Sequence, residues 1–235
     1  MKTIYKIAAC LLLTLILAIP EGKAQEGEYY TTSDFELWTG ARLKYKINKL
    51  WSMNLEHEYR FKDDASVMDQ NFTELGVKRN IGDQFSIAVG GRYIRNNDTN
   101  GNNQGIENHF RWNADLGYKT DIERFTFSSR FRYQQKNEFS SENPDVKTIR
   151  LKAALGYNIK KWKLDPEFAT EIFNETNSTD YFDKIRFTLS TSYNLKKYGE
   201  ISGFYRLEKE LVGAYPKTSN IIGIRYQYTI KNKKK

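Results

Sequence analysis

Eleven stretches of this chain alternate polar and apolar residues with a period of two, and most run 11–14 residues. In the last of them Ile222, Ile224, Tyr226, Tyr228 and Ile230 face one way, and Gly223, Arg225, Gln227 and Thr229 the other. Phe125, Phe127, Phe131 and Tyr133 likewise oppose Arg124, Arg130, Arg132 and Lys136. Successive side chains of a strand point to opposite faces, whereas helical spacing would scatter these residues around a cylinder. The segments fall at about 35–47, 51–62, 70–80, 84–95, 107–119, 123–136, 147–159, 161–173, 183–195, 199–210 and 220–230. Globular strands average about 5–6 residues. A tilted membrane strand needs about 9–11, so length favours a transmembrane barrel over a sandwich or propeller.

The two faces differ in chemistry. Aromatics make up 14% of the chain although all hydrophobic residues reach only 39%, which excludes disorder. No apolar run after the N-terminus approaches the roughly 20 residues of a membrane helix. Opposite the apolar face lie Arg42, Glu56, Glu58, Glu74, Arg111, Asp115, Arg130, Arg132, Arg150, Glu171, Arg186, Arg206, Glu208 and Arg225. Lipid outside and a polar lumen inside accommodate both faces, so these fourteen residues are expected to line the lumen. Tyr45, Trp51, Phe85, Tyr118, Phe125, Tyr157, Trp162, Tyr193 and Tyr228 flank short turns and are expected to form an aromatic girdle at the membrane interface.

Short connections (48–50, 81–83, 120–122, 160 and 196–198) follow the odd-numbered segments. Longer polar loops follow the even ones, such as Asn96 to Ile106 and Asn137 to Val146. Short turns at one rim and long loops at the other are the up-and-down pattern of an outer-membrane barrel. A closed antiparallel ring needs an even number of strands, and the first and eleventh segments run the same way. A short extra strand within residues 25–34 gives twelve, the preferred count. Leaving the first segment outside the ring gives ten. Threading residues 25–34 through the lumen is a third repair.

Residues 1–24 carry the marks of a secretory signal: Lys2 and Lys6, an apolar run from Ile7 to Pro20, and small Gly22 and Ala24 before Gln25. The remainder divides into the segment 25–34, a barrel over 35–230, and a basic tail, 231–235. The single cysteine, Cys10, lies inside the signal, so disulfide and thiol chemistry are not expected of the mature chain. These features point to the outer membrane of a Gram-negative cell. Expected partners are membrane lipid, lipopolysaccharide, periplasmic chaperones and the barrel assembly machinery. The formal charge of +8 includes three lysines and one glutamate of the signal and four lysines of the tail. The balanced charge of the body does not fit a nucleic-acid face.

Several stretches resemble one family. They are Asp34 to Gly40 (Asp-Phe-Glu-Leu-Trp-Thr-Gly), Leu50 to Phe61, Phe72 to Val77, Arg92 to Asn96, and Asp183 to Phe187. They are similar to domain of unknown function 2490, a group of uncharacterised envelope proteins, many from Bacteroidetes, regarded as outer-membrane β-barrels. The resemblance spans residues 34–230. It implies a fold and an address but no activity and no catalytic residues. One departure is from barrel proteins at large, whose last strand usually ends the chain in an aromatic. Here Tyr228 and Ile230 are followed by Lys231-Asn232-Lys233-Lys234-Lys235.

Catalytic candidates are few. The chain has two histidines, His57 and His109, and neither a Gly-x-Ser-x-Gly elbow nor a His-Glu-x-x-His motif. His57 lies on the apolar face, which admits lipid hydrolysis at the barrel wall as an alternative to a rim residue or a local bulge. His109 is expected at a solvated rim. Asn96-x-Asp98-x-Asn100-Gly101-x5-Glu107 approaches the spacing of a calcium loop but lacks Asp at its first position and sits between strands. An extracellular loop is the preferred reading there. No enzyme activity, cofactor or metal is expected. The basic lumen is either an anion-favouring pore or a structural or ligand-binding interior filled by ion pairs.

Overall fold

The computed structural model describes residues 31–99, 104–139, 144–176 and 182–232. The signal segment, residues 25–30 and Lys233 to Lys235 lie outside them. The described chain forms eleven strands. These are β1 (Thr32–Lys46), β2 (Trp51–Lys62), β3 (Val67–Ile81), β4 (Phe85–Asp98), β5 (Gly105–Ile122) and β6 (Phe125–Glu138). They continue with β7 (Val146–Tyr157), β8 (Asp165–Glu175), β9 (Lys184–Asn194), β10 (Glu200–Glu210) and β11 (Lys217–Lys231). Each runs 11 to 18 residues, and every strand pairs with its sequence neighbour in an antiparallel ladder. The only helical element among the described residues is one 3-10 turn, Lys196–Tyr198.

The ring closes with an odd number. β1 pairs with β11 in parallel along its whole length, from Thr32 opposite Lys217 to Lys46 opposite Lys231. The barrel is therefore all-β and closed as expected, with eleven strands instead of twelve or ten. The parallel seam resolves the parity without an extra strand, and residues 32–34 serve to lengthen β1. A parallel ladder satisfies both backbone edges, so closure removes every free edge regardless of parity.

The strands end where local chemistry turns the chain. In the β1–β2 turn the Asn48 side-chain oxygen accepts from the backbone N–H of Leu50 and Trp51, both at 2.8 Å. The turns after β3 and β5 place Gly82 and Glu123 at positive φ. The connection after β7 is longer than the one residue expected. It runs over residues 158–164, with Lys161 at positive φ and the Asp165 carboxylate accepting from Asn158 and Ile159. Conversely, the loop after β2 is shorter than expected, residues 63–66. Asp34 accepts from the N–H groups of Asp63 and Asp64 and holds three consecutive left-handed residues there. That hold lets β3 start at Val67, with a bulge opposite Arg60 and Phe61.

Alternation sorts the side chains. The outer wall presents leucine, isoleucine, valine and aromatic residues from all strands, among them Leu75, Val89, Leu116, Leu189 and Ile224, each about half exposed or more. The interior has two levels. Toward the short turns many inward positions are small, including Ser52, Gly76, Ala88, Ser128, Ala154, Ser190 and Ser202, with Lys44, Lys78, Glu167 and Phe204 interspersed. At mid-height and toward the long loops they are large: Trp38, Phe72, Ile94 and Ile221 are almost fully buried there, amid arginines and glutamates.

Candidate functional site

The interior at mid-height is a lattice of arginines and carboxylates supplied by most of the strands. A carboxylate removed from water must find compensating donors. Each of the buried acids does. Glu58 on β2 accepts from Arg60 at 2.8 Å and from Arg225 at 2.6 Å. Glu56, two residues earlier on the same face, binds Arg42 and, at 3.2 Å, Arg225. Glu74 on β3 receives Arg92 at 2.6 Å and Arg111 at 3.2 Å. Asp115 takes both arms of the Arg132 fork at 2.7 Å, the bidentate geometry in which guanidinium and carboxylate bind most strongly. Glu171 on β8 gathers Arg130 at 2.6 Å, Arg150 at 2.9 Å and Arg186 at 3.6 Å. Arg186 continues to Glu208, which also holds Lys184 at 2.7 Å.

Inward-facing rings carry the flat faces of the same guanidinium groups. Arg60 lies 3.5 Å from the Trp38 ring centroid, with Arg206 and Arg186 at 5.1 and 5.6 Å from it. Arg92 stacks on Phe72 at 3.4 Å, Arg150 on Phe173 at 4.4 Å and Arg206 on Phe204 at 3.9 Å. A guanidinium is weakly hydrated above and below its plane, so a ring there covers the surface that hydrogen bonds do not use. The Trp38 indole N–H donates to Glu36 at 3.0 Å.

All fourteen charged residues named from the sequence point into the barrel, and thirteen of them enter this lattice; Arg206 is the exception. Arg60, Arg92, Lys152 and Lys184 belong to the same interior and lie outside the expected lumen-lining set, although their strand parity marks them. The inward Trp38, Phe72, Phe173 and Phe204 were also missed, because an apolar-outward rule assigns rings to the wall. Among the girdle residues, Phe85 packs on Tyr118 at 5.1 Å and Phe125 on Tyr157 at 4.8 Å, cross-strand pairs on the outer wall beside the short turns. Tyr45, Trp51, Tyr193 and Tyr228 lie exposed at the same rim. Trp162 sits within the β7–β8 turn, not on a strand.

The histidines part ways. His57 points outward in regular strand with the bulge three residues on, and its Nδ1 lies 2.9 Å from Thr73 Oγ1. His109 is not at a solvated rim: it is buried inside the barrel with Nε2 3.3 Å from Glu107. His109 shares the inward parity of Arg111 and Asp115, and because β5 begins at Gly105, earlier than expected, it lies within the strand and not at its end. In the calcium-like stretch Asn96 and Asp98 are part of β4, and Asn96 donates to Glu107 directly across the hairpin at 3.3 Å. Residues 100–103 lie outside the described residues.

Residues 35–211 match a family model whose description is "Protein of unknown function (DUF2490)". The chain belongs to that family. No curated protein matches it. Similar solved structures include the in-vitro folded OmpT, an outer membrane protein of Vibrio cholerae, at 14% identity and a TM-score of 0.41, covering 70% of this chain and 52% of that one. A trimer form of the same protein gives 11%, 0.39, 68% and 54%, and its loop L8 deletion mutant 14%, 0.40, 74% and 58%. The DUF2490 chain thus spans little more than half the length of the solved barrels it matches.

The interior of this DUF2490 barrel is not completely filled. A cavity of about 540 Å3 lies within the lattice. Twelve basic side chains and six acidic ones line it. Counting Asp115 and Glu208, which bind their arginines from beside it, leaves an excess of four positive charges. A second cavity, of about 440 Å3, lies toward the short turns and shares Lys152, Arg206, Arg225 and Thr188 with the first. A third space at the β1–β2 turn is lined by Lys44, Lys46, Lys49, Lys78 and Lys231 and by no acid.

Proposed function

We propose that the protein is an outer-membrane β-barrel whose lumen is closed at mid-height by its ion-pair lattice, a structural or ligand-binding barrel and not an open pore. The outer wall supports the address. Its exposed leucines, isoleucines and rings form a band far larger than a soluble monomer leaves in water, and lipid is the solvent that removes it. The export signal, the lipid and lipopolysaccharide around the wall, and delivery by envelope chaperones to the assembly machinery belong to this reading.

The observation that carries closure is the convergence of Arg130, Arg150 and Arg186 on Glu171. Side chains from four strands meet there inside the ring, and long arginines pinned at both ends occlude a lumen that small residues would leave open. The test is conductance of the refolded mature chain in a planar bilayer. Silence from protein shown to be inserted supports closure. Stable steps with anion preference would overturn closure and make the chain a small-solute channel.

A second reading, lipid hydrolysis at the wall, rests on the contact of His57 Nδ1 with the Thr73 hydroxyl. A base and a hydroxyl within hydrogen-bond reach are the minimum for an activated nucleophile. Phospholipid hydrolysis by the folded barrel that disappears in both His57→Ala and Thr73→Ala supports it. Absence of activity in the wild type removes it.

A further inference from the structure

Two cations inside the barrel stand outside the lattice. Lys152 on β7 and Arg206 on β10 face the lumen, and neither has a carboxylate within ion-pairing distance among the described residues. The natural acid for Lys152 is Glu171, directly opposite in the β7–β8 ladder, and three arginines already occupy it. Arg206 rests one face of its guanidinium on Phe204. Its buried Nε has no hydrogen-bond partner. A ring answers the face of a guanidinium but none of its in-plane N–H groups. Lys152 and Arg206 line the same two cavities, the short-turn one with Asp165 and Glu167 also in its wall, and cations that share a cavity away from bulk water without ion pairs gain from a counterion placed in it.

The surroundings select the counterion. Lys152, Arg206, Arg225 and Thr188 all line both the mid-lumen cavity and the one on the short-turn side. They therefore stand at the boundary between the two spaces. An arginine fork binds two oxygens at once, a lysine adds a movable point charge, and a threonine hydroxyl supplies a neutral donor. That set matches a tetrahedral oxyanion better than a halide, which has no oxygens to divide among them. Asp165 and Glu167 in the wall of the short-turn cavity reduce the positive excess across the two joined spaces from four to two, which still favours a doubly charged ion over a single carboxylate. The short-turn cavity of about 440 Å3 adjoins these residues and supplies the approach from that side.

We propose that Arg206 and Lys152, with Arg225 and Thr188, form a binding site for a phosphoryl group, as free phosphate or as the end of a small phosphomonoester, entered from the short-turn rim. This deepens the closed-barrel reading above and rests on it, because a lattice that blocks the lumen makes the boundary a dead-end pocket.

The test uses the full chain, purified folded in zwitterionic detergent at a pH where phosphate is a dianion. Its unfolding temperature and tryptophan fluorescence are titrated with inorganic phosphate, with glycerol 1-phosphate and with chloride at matched ionic strength. Saturable stabilisation by either phosphate compound, absent with chloride, is expected. Tighter binding of glycerol 1-phosphate identifies the phosphomonoester as the source, and tighter binding of phosphate the free ion. Lys152→Gln and Arg206→Gln should each weaken the response about tenfold, roughly the loss of one charge-assisted contact. Both variants should remain folded and heat-modifiable on a gel, since neither removes a native ion pair. A response equal in chloride and phosphate, or a double variant that responds like the wild type, overturns the site. A conducting wild type would overturn closure alone, leaving the phosphate titration to be read independently.

Discussion

Arg225 on β11 binds Glu58 on β2 at 2.6 Å although 167 residues and one intervening strand separate them. The strand between is β1, and the residue between is Gly40, in register with Arg225 on one side and Glu58 on the other. The contact spans the parallel seam, so it links the first hairpin of the barrel to its last strand.

Gly40 makes that reach possible. A Cβ there would come 2.8 Å from the His57 carbonyl oxygen and 3.2 Å from the Glu58 Cα, both backbone atoms with little room to yield. Gly40→Val should therefore destabilise the barrel by about 1–3 kcal/mol, the usual cost of overpacking. The midpoint of urea unfolding in lipid vesicles measures this, with Gly40→Ala expected between the two. An unchanged midpoint would mean that the seam is not packed as described.

The pair itself is open to a double-mutant cycle. Glu58 is nearly inaccessible, so Arg225→Gln leaves a buried carboxylate short of one donor, though Arg60 still holds it. Glu58→Gln leaves Arg225 with Glu56 alone. Breaking a buried pair from one side costs about 3–5 kcal/mol, and the retained partners place these variants toward the lower end. The double variant should cost less than the two singles together, with a coupling of about 0.5–3 kcal/mol. Strict additivity of the two losses would show that the two side chains do not interact across the seam.

How far the sequence discloses this interior depends on the range of each contact. Parity along a strand assigns faces without knowledge of neighbours, so the inward charges are legible one strand at a time. Pairs across a hairpin are legible only as far as the turn is placed correctly. The expected turn at 120–122 sets Asp115 opposite Phe127, whereas the turn at Glu123 and Arg124 sets it opposite Arg132. Pairs across the closure are not legible, because Arg225 meets Glu58 only if β1 and β11 lie parallel, which the even-strand expectation forbids. The inward rings are hidden for another reason. Trp38 and Phe72 are apolar by composition, yet their value here is as platforms for Arg60 and Arg92. Hydrophobic alternation alone cannot separate a ring facing lipid from a ring facing a guanidinium.

Closure of the lumen predicts how to open it. Replacing Arg130, Arg150 and Glu171 together by serine removes two long arginines from mid-height along with the carboxylate that would otherwise be left holding Arg186 alone. Arg186 keeps Glu208. This triple variant should conduct in stable, anion-preferring steps where the wild type is silent, because the remaining lining is positive. A triple variant that inserts, migrates as a folded barrel and stays silent would show that something other than the lattice blocks the lumen.

The outer wall yields the sharpest test of the membrane address. Ile224 lies at the centre of β11, is 56% exposed and has the inward Gly223 and Arg225 on either side. If lipid covers this wall, Ile224→Arg places a charge near the middle of the hydrocarbon, at a cost of about 2–4 kcal/mol. The same change near the short-turn rim, at Tyr228, should cost about 0–1 kcal/mol, since the side chain there reaches the interface. Urea unfolding from phospholipid vesicles reads both variants against the wild type. A steep difference between positions 224 and 228 is the signature of a bilayer profile along the strand. Equal, small losses at the two positions would mean that water or protein, and not lipid, faces this wall, and the outer-membrane assignment would fall with it.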